Sequence, residues 1–288
     1  SFIRRWILML ERFSHSGIQS FQKCPAQFQF RYINRIYKKD EGVEAFMGKR
    51  VHETLEYLYN QKLTGVILSF DELLKYHFSL WENSWHDRVA IVNKQVLPID
   101  QKKSIQQWKK YAAFYFRLGE MCISKFYKMN QPFKENVYAN EYEVDFFLDN
   151  NSNYRIKGVI DRLDVDSKGN WVIHDYKTGK RAYSQSVADS DQQLGLYQIG
   201  LEAEQDNVNS VILRWHFLQQ KRENIIVESR RSDENKNQLT IYIKKMIDKI
   251  RKKFEKNEKF EAKTSMLCNW CYYWEECPAK DSPNPFIN

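Results

Sequence analysis

From Asn140 onward the apolar residues change from a helical period to a period of two, and that switch constrains the fold more than any other feature. Glu141-Tyr-Glu-Val-Asp-Phe-Phe-Leu148 alternates as a strand, and Asp149 to Asn153 reads as a turn. Tyr154 to Val165 alternates again, with Val159, Leu163 and Val165 as its apolar positions. After the turn Asp166-Ser-Lys-Gly169-Asn170, Trp171 to Lys177 resumes the pattern. Short turns join the three runs, so the spacing predicts an antiparallel meander. Ser210 to Leu218 and Asn224 to Glu228 read as two further strands, and Asp191 to Ala203 as a helix between. The expected class is α/β: a central mixed sheet flanked by helices.

Polar residues in that meander carry the chemistry. Asp161 lies near the end of one strand, and Asp175 and Lys177 at the end of the next. Asp175 and Lys177 are two apart and leave the same face. Two carboxylates and a lysine on one sheet edge suit a hard divalent cation with a charge stabiliser for phosphoryl chemistry. The plainer alternative is a surface hairpin with a salt bridge. Asp164 has the wrong parity for Asp161 and reads as a structural partner of Arg162 or of a loop.

Most of the preceding chain reads helical. Ser14-His-Ser16-Gly-Ile opens a helix that Cys24-Pro25 interrupts, leaving Cys24 at the junction with a second helical piece running to Ile33. Lys38 to Gly42 reads as a loop. Phe46 to Tyr59 is a helix burying Val51, Leu55, Leu58 and Tyr59, with His52 at the border of that face. A lone histidine there is by default a core residue. Residues 70–130 read as helical throughout, with Trp81, Trp85 and Trp108 at helical spacing and a break near Pro98. Cys122 reads as a small buried hydrophobe. Leu239 to Phe260 reads as a long amphipathic helix. Ile243, Met246, Ile247, Ile250 and Phe254 form its apolar stripe, and Lys245, Lys249, Lys252, Lys253 and Lys256 a basic face. That face is either simply solvated or weakly DNA-binding.

A net charge of +8 favours a polyanionic partner, though 37 acidic residues against 45 basic ones make the bias modest. Ser1 to Leu10 holds a short apolar run that Glu11 and Arg12 close too soon for a membrane span, and it lacks a secretory cleavage site. A first strand or docking segment is expected there, in a cytoplasmic protein with no membrane partner. The opening Ser is consistent with excision from something longer. Five cysteines are an odd number, and Cys268, Cys271 and Cys277 cluster late, which favours metal ligation over disulfides.

Taken together, Gly158-x-x-Asp161-Arg-x-Asp164, Asp175-Tyr-Lys177-Thr-Gly and Gln193-Leu-x-x-Tyr197 resemble the core of the PD-(D/E)xK nuclease superfamily. Phe46-Met-Gly48-x-x-Val-His52-Glu resembles the histidine motif of its RecB, AddB and Cas4-like branch. Ser16-x-x-Gln19-x-Phe21-x-x-Cys24-Pro25-x-x-Phe28-x-x-Arg31-Tyr32 resembles that branch's N-terminal segment. The motifs stand in family order and span residues 14–278, apart from the helical stretch at 60–135.

The resemblance implies a restriction-endonuclease-like core in which His52, Asp161, Asp175 and the Tyr176 carbonyl bind Mg²⁺ or Mn²⁺. It gives Lys177 the attacking water, and Gln193 and Tyr197 the positioning of DNA or Lys177. Cys24, Cys268, Cys271 and Cys277 resemble a four-cysteine [4Fe–4S] arrangement, with zinc as the alternative. The resulting layout is an N-terminal segment over 1–60, a helical insertion over 61–135, a nuclease core over 136–232 and a basic helix with the cysteine cluster over 233–288. The implied activity is a metal-dependent DNA exonuclease acting on ends or single strands, in repair, recombination or CRISPR adaptation. No helicase P-loop occurs, so unwinding needs a helicase partner, with CRISPR adaptation proteins the other partner class. A non-cleaving DNA-binding module and a site-specific endonuclease are the rivals.

Overall fold

The computed structural model describes residues 10–90, 105–149, 153–221 and 225–280. In chain order it runs β1 (Arg12–Ser14), α1 (His15–Lys23), α2 (Pro25–Phe28) with a π-helical turn over Gln29–Ile33, β2 (Glu41–Gly42) and α3 (Val43–Leu63). There follow α4 (Phe70–Ser84), β3 (Val89–Ala90), α5 (Ile105–Asn130), β4 (Val137–Phe147), β5 (Arg155–Val165) and β6 (Asn170–Lys177). The chain continues through α6 (Gln185–Asp189), α7 (Gln192–Glu204), β7 (Ser210–Phe217), β8 (Ile226–Ser229) and α8 (Asp233–Glu255).

The expected meander is present: β4 pairs antiparallel with β5, and β5 with β6. β7 joins β6 in parallel and β8 closes antiparallel, giving a mixed six-stranded sheet. A crossover through α6 and α7 lets β7 run parallel to β6. One edge of β5 belongs to β4. Its other edge is shared, with β1 parallel along Arg155–Lys157 and β6 antiparallel along Arg162–Val165. Gly158 to Asp161 therefore have no ladder partner on that edge, and the active groups gather at this gap.

Helices cover both faces, and each face has its own apolar core. On one side Val51, Leu55, Leu58 and Tyr59 of α3 meet Trp81, Ile123, Phe126 and Tyr176. On the other, Ile18, Leu194 and the α8 stripe of Ile243, Ile247 and Ile250 meet Leu163, Ile173 and Trp215 of the sheet. Cys122 is buried in the first core, and burial pushes its thiol up to about 11.

Several boundaries differ from the sequence reading. α8 starts at Asp233 rather than Leu239. Ser232 caps it reciprocally with Asn235, and capping adds a polar turn that apolar periodicity does not register. It stops at Glu255, before Asn257 takes a φ of 52°. Residues 70–130 are not helical throughout: β3 pairs in parallel with β2, which also puts a strand at the end of the expected 38–42 loop. Two-residue strands are too short to show a period. Val159 is exposed instead of inward-facing, because it lies in the gap along β5. The Ser1 to Leu10 segment (up to residue 9), the break near Pro98, the Trp108 side chain and the Asn224 strand start lie outside the described residues. No helix among the described residues is long and apolar enough to cross a membrane.

Candidate active site

Two close approaches bring distant elements to the gap. A Cβ on Gly48 would lie 2.9 Å from the Thr178 Oγ1, so glycine lets α3 run against the end of β6. One turn later, the His52 Nε2 donates to the Tyr176 carbonyl at 2.7 Å, and its Nδ1 lies 3.4 Å from the Asp161 Oδ2. Burial alone would push this imidazole down. The Asp161 carboxylate outweighs it, helped by Asp175 and the carbonyl, and raises it to about 9. The same Asp161 oxygen accepts the Tyr176 N–H at 2.8 Å.

Asp161 and Asp175 stand one position beyond the last ladder pair, Arg162 opposite His174. Asp175 is buried. Burial pushes its carboxyl up, the Lys177 ammonium pulls it down, and Asp161 pushes it up again. Lys177 Nζ donates to the Asp175 Oδ1 at 3.1 Å and lies 2.8 Å from Oδ2. Burial would lower the Lys177 ammonium, but Asp175 holds it well above its ordinary range.

The second close approach lies on the other side of Lys177. A Cβ on Gly158 would come within 2.2 Å of the Tyr197 ring, so only glycine admits that ring into the gap. The Tyr197 hydroxyl accepts the Val159 N–H and the Gln193 Nε2 (3.4 Å), and the Gln193 Oε1 accepts from Lys177 Nζ at 3.4 Å. A continuous line thus runs from Asp175 through Lys177 and Gln193 to Tyr197. All the site residues expected around the meander are brought together except the α8 lysines. Lys245, Lys249, Lys252 and Lys256 are exposed and line none of the clefts near this site. Among the described residues, no three His, Cys, Asp or Glu side chains converge as a formed metal site. An imidazole, two carboxylates and a carbonyl, all donor types that Mg²⁺ or Mn²⁺ accept, lie about the Asp175–Tyr176 peptide.

Two groups escaped the sequence reading. Beneath the site, on the opposite sheet face, the fully buried Arg162 contacts Asp164 at 3.1 Å, His174 at 3.0 Å and the Tyr176 hydroxyl at 3.3 Å. His174 in turn meets His216 at 2.9 Å. Asp164 was legible as Arg162's partner; His174 and His216 were not, although their parity opposes that of Asp175. Glu141, with a φ of 44°, is skipped by the β4–β5 ladder between Asn140–Arg162 and Tyr142–Ile160, and shares a pocket with Asp161. Burial, then Asp161 and Glu56, push its carboxyl up to about 7. The chain alternation gives no sign of that backbone turn.

The family model of the PD-(D/E)XK nuclease superfamily matches residues 12–278. The chain belongs to the PD-(D/E)XK nuclease superfamily. A crystal structure from Eubacterium rectale, named as a candidate exonuclease, superposes with a TM-score of 0.51 at 10% identity, over 88% of this chain and 85% of that one. At that identity the likeness is one of fold. The structure of SSO0001 aligns over 87% of this chain and 92% of that one, at 12% identity and a TM-score of 0.34, too low to carry an argument. No curated protein sequence matches the chain.

This PD-(D/E)XK chain has a second polar centre where the Cys24 junction approaches residues 261–279. Cys24, Cys268, Cys271 and Cys277 are all free thiols and half-buried. Each accepts a backbone N–H: Lys263 to Cys24, Ser265 to Cys268 and Ala279 to Cys277, each at 3.4 Å, and Tyr273 to Cys271. Burial raises the Cys271 thiol, the Tyr273 N–H lowers it, and the other three sulfurs raise it further. Tyr273 packs on Phe30 and donates to the Ile36 carbonyl at 3.0 Å, closing the apolar side of the group.

Proposed function

We propose that this chain is a metal-dependent deoxyribonuclease of the RecB, AddB and Cas4-like branch, an exonuclease acting on DNA ends or single strands. Its pathway would be repair, recombination or CRISPR adaptation, beside a helicase or adaptation proteins. The observation that carries this reading is the line Asp175–Lys177–Gln193–Tyr197 set against His52 and Asp161 at one gap in the sheet. His52, Asp161, Asp175 and the Tyr176 carbonyl would hold Mg²⁺ or Mn²⁺, the imidazole leaning toward Mn²⁺. When bound, such an ion generates a nucleophilic water and offsets phosphate charge.

The chain's own groups do the rest. Lys177 is held charged by Asp175, so near neutral pH it donates rather than accepts: it orients the attacking water and stabilises charge gathering on the phosphate oxygens. Gln193 fixes the ammonium from the far side, and Tyr197 fixes Gln193. The name of the Eubacterium rectale protein supports exonuclease action by analogy of fold.

The four cysteines would hold a [4Fe–4S] cluster as a structural staple. What supports this is the spacing Cys268-x2-Cys271-x5-Cys277 with Cys24 brought beside Lys263, each thiol already given a backbone N–H.

One assay tests the nuclease reading: end-labelled linear DNA and closed circular DNA with Mg²⁺ or Mn²⁺. The native chain should shorten linear DNA, and Asp175→Ala should not. Lys177→Ala should lose on the order of 10²–10³ in kcat while still binding the ion. Circles cut at fixed positions would favour an endonuclease, and DNA left intact by the native chain would favour a non-cleaving binding module.

A further inference from the structure

The surroundings of the site are electrostatically lopsided. On the Lys177 side opens a cleft of about 920 Å³, whose walls set Arg12, Arg31, Lys157 and Lys177 against Glu143, Asp145 and Asp191, a small basic excess. It shares Arg12, Ser14, Arg31, Tyr32 and Lys157 with a second cleft of about 670 Å³, which adds Arg35, Tyr37 and Arg155. The two make one channel leading away from Lys177. On the Asp161 side lies a pocket of about 460 Å³ walled by Glu44, Glu53, Glu56, Glu141 and Asp161, with only Lys49 and His52 as basic members.

The channel's charge is not spent internally. Arg12 and Arg155 both lie against Asp145, at 3.4 Å and 2.7 Å, two cations on one carboxylate. Arg31 and Lys157 are exposed and make no ion pair among the described residues. Flat surfaces accompany the charge. Tyr32 stacks on Phe28 at 5.2 Å with the Arg31 guanidinium 5.5 Å from its centroid, and Tyr37 is 78% exposed. Exposed cations spaced along a groove with aromatic faces are what a sequence-tolerant single-strand site requires.

We propose that these joined clefts are the track for one DNA single strand, with Arg31 and Lys157 on its phosphates and Tyr32 and Tyr37 against its bases. The inference rests on the nuclease reading and gives it a substrate form: the strand reaches Lys177 from the basic side only. Glu44 and Glu56, in the pocket beyond Asp161, repel a strand that would run on, so an end is the favoured substrate. The track lies on the N-terminal segment and β5, not on α8.

The test is fluorescence anisotropy of a labelled oligothymidylate in EDTA, so that binding is read without cleavage. The Arg31→Glu/Lys157→Glu variant should bind on the order of tenfold to 100-fold more weakly. Its affinity should also vary less with salt, the log–log slope falling by about 1.4 for two phosphate contacts. Tyr37→Ala, on an exposed ring, should cost about tenfold. Native-like circular dichroism and melting in these variants exclude misfolding as the cause. Unchanged binding by the double charge reversal overturns the track, as does an equal loss in Lys245→Glu/Lys249→Glu, which would put the strand on α8. Cleavage with Mn²⁺ separates this from the nuclease reading. A chain that binds through Arg31 and Lys157 but never cuts keeps the track and loses the nuclease. If the chain cuts and its KM ignores the double reversal, the nuclease stands and the track falls.

Discussion

At the scale of single residues, the site depends on what is missing from two positions as much as on what is present. Gly48 and Gly158 carry no chemistry, yet each marks where a helix comes too close for a side chain. Gly158→Ala should displace the Tyr197 ring, breaking its bonds to Val159 and Gln193 and loosening Lys177. Overpacking of this kind costs about 1–3 kcal/mol. Denaturant melts of Gly158→Ala with and without Tyr197→Ala check it: the loss should largely vanish in the Tyr197→Ala background. Equal losses in both would mean that the contact is unimportant. The meeting of Asp161, Asp175 and Lys177 at one sheet edge was legible because strand parity and spacing mark it. The Arg162–His174–His216 group was not, because a buried polar residue is recognisable only once its partners on other strands are known.

At the scale of elements, the helical layer of α3, α4 and α5 shows where sequence reading succeeds and stops. The α3 face of Val51, Leu55 and Leu58 follows from period alone. What joins α3 to α4 does not. The Thr54 hydroxyl donates to the Arg50 carbonyl at 2.7 Å, and so accepts from the His77 Nδ1 at 2.9 Å. His77 is fully buried and stacks on Phe116 of α5 at 5.5 Å. Burial lowers its imidazole to about 4, so the folded layer holds it neutral. A histidine whose folded value is depressed contributes stability that is present above its unfolded value, near 6.5, and lost as pH falls toward 4. The loss attributable to His77 should reach about 2 kcal/mol by pH 5. Denaturant midpoints at neutral pH and at pH 5, for the native chain and His77→Phe, measure it. The variant should lack that share of the acid sensitivity, and an identical pH dependence in both would contradict the assignment.

At the scale of the whole molecule, the early and late parts of the chain are built into one another. β1 extends the sheet beside β5, Phe21 and Phe28 pack edge-on and stacked against Phe260, and Cys24 faces the late cysteines. No local pattern in the sequence could say which surfaces close this meeting. Anaerobically purified protein should be brown, and Cys271→Ser should bleach it and lower its melting temperature, read by absorbance and calorimetry. A colourless protein with stoichiometric zinc would replace the cluster with the alternative metal. Unchanged colour and melting in Cys271→Ser would remove that thiol from the staple.

The contact between Cys24 and Lys263 spans 239 positions of sequence. A ribosome adds roughly 5–20 residues per second, so Cys24 waits on the order of 10 to 50 s before its partners exist. Through that interval the helix junction around Phe21 and Phe28 is apolar surface without its cover. The nascent chain is therefore exposed to proteases and chaperones longest around that junction, one of the earlier parts of the fold to be made and among the last to be covered.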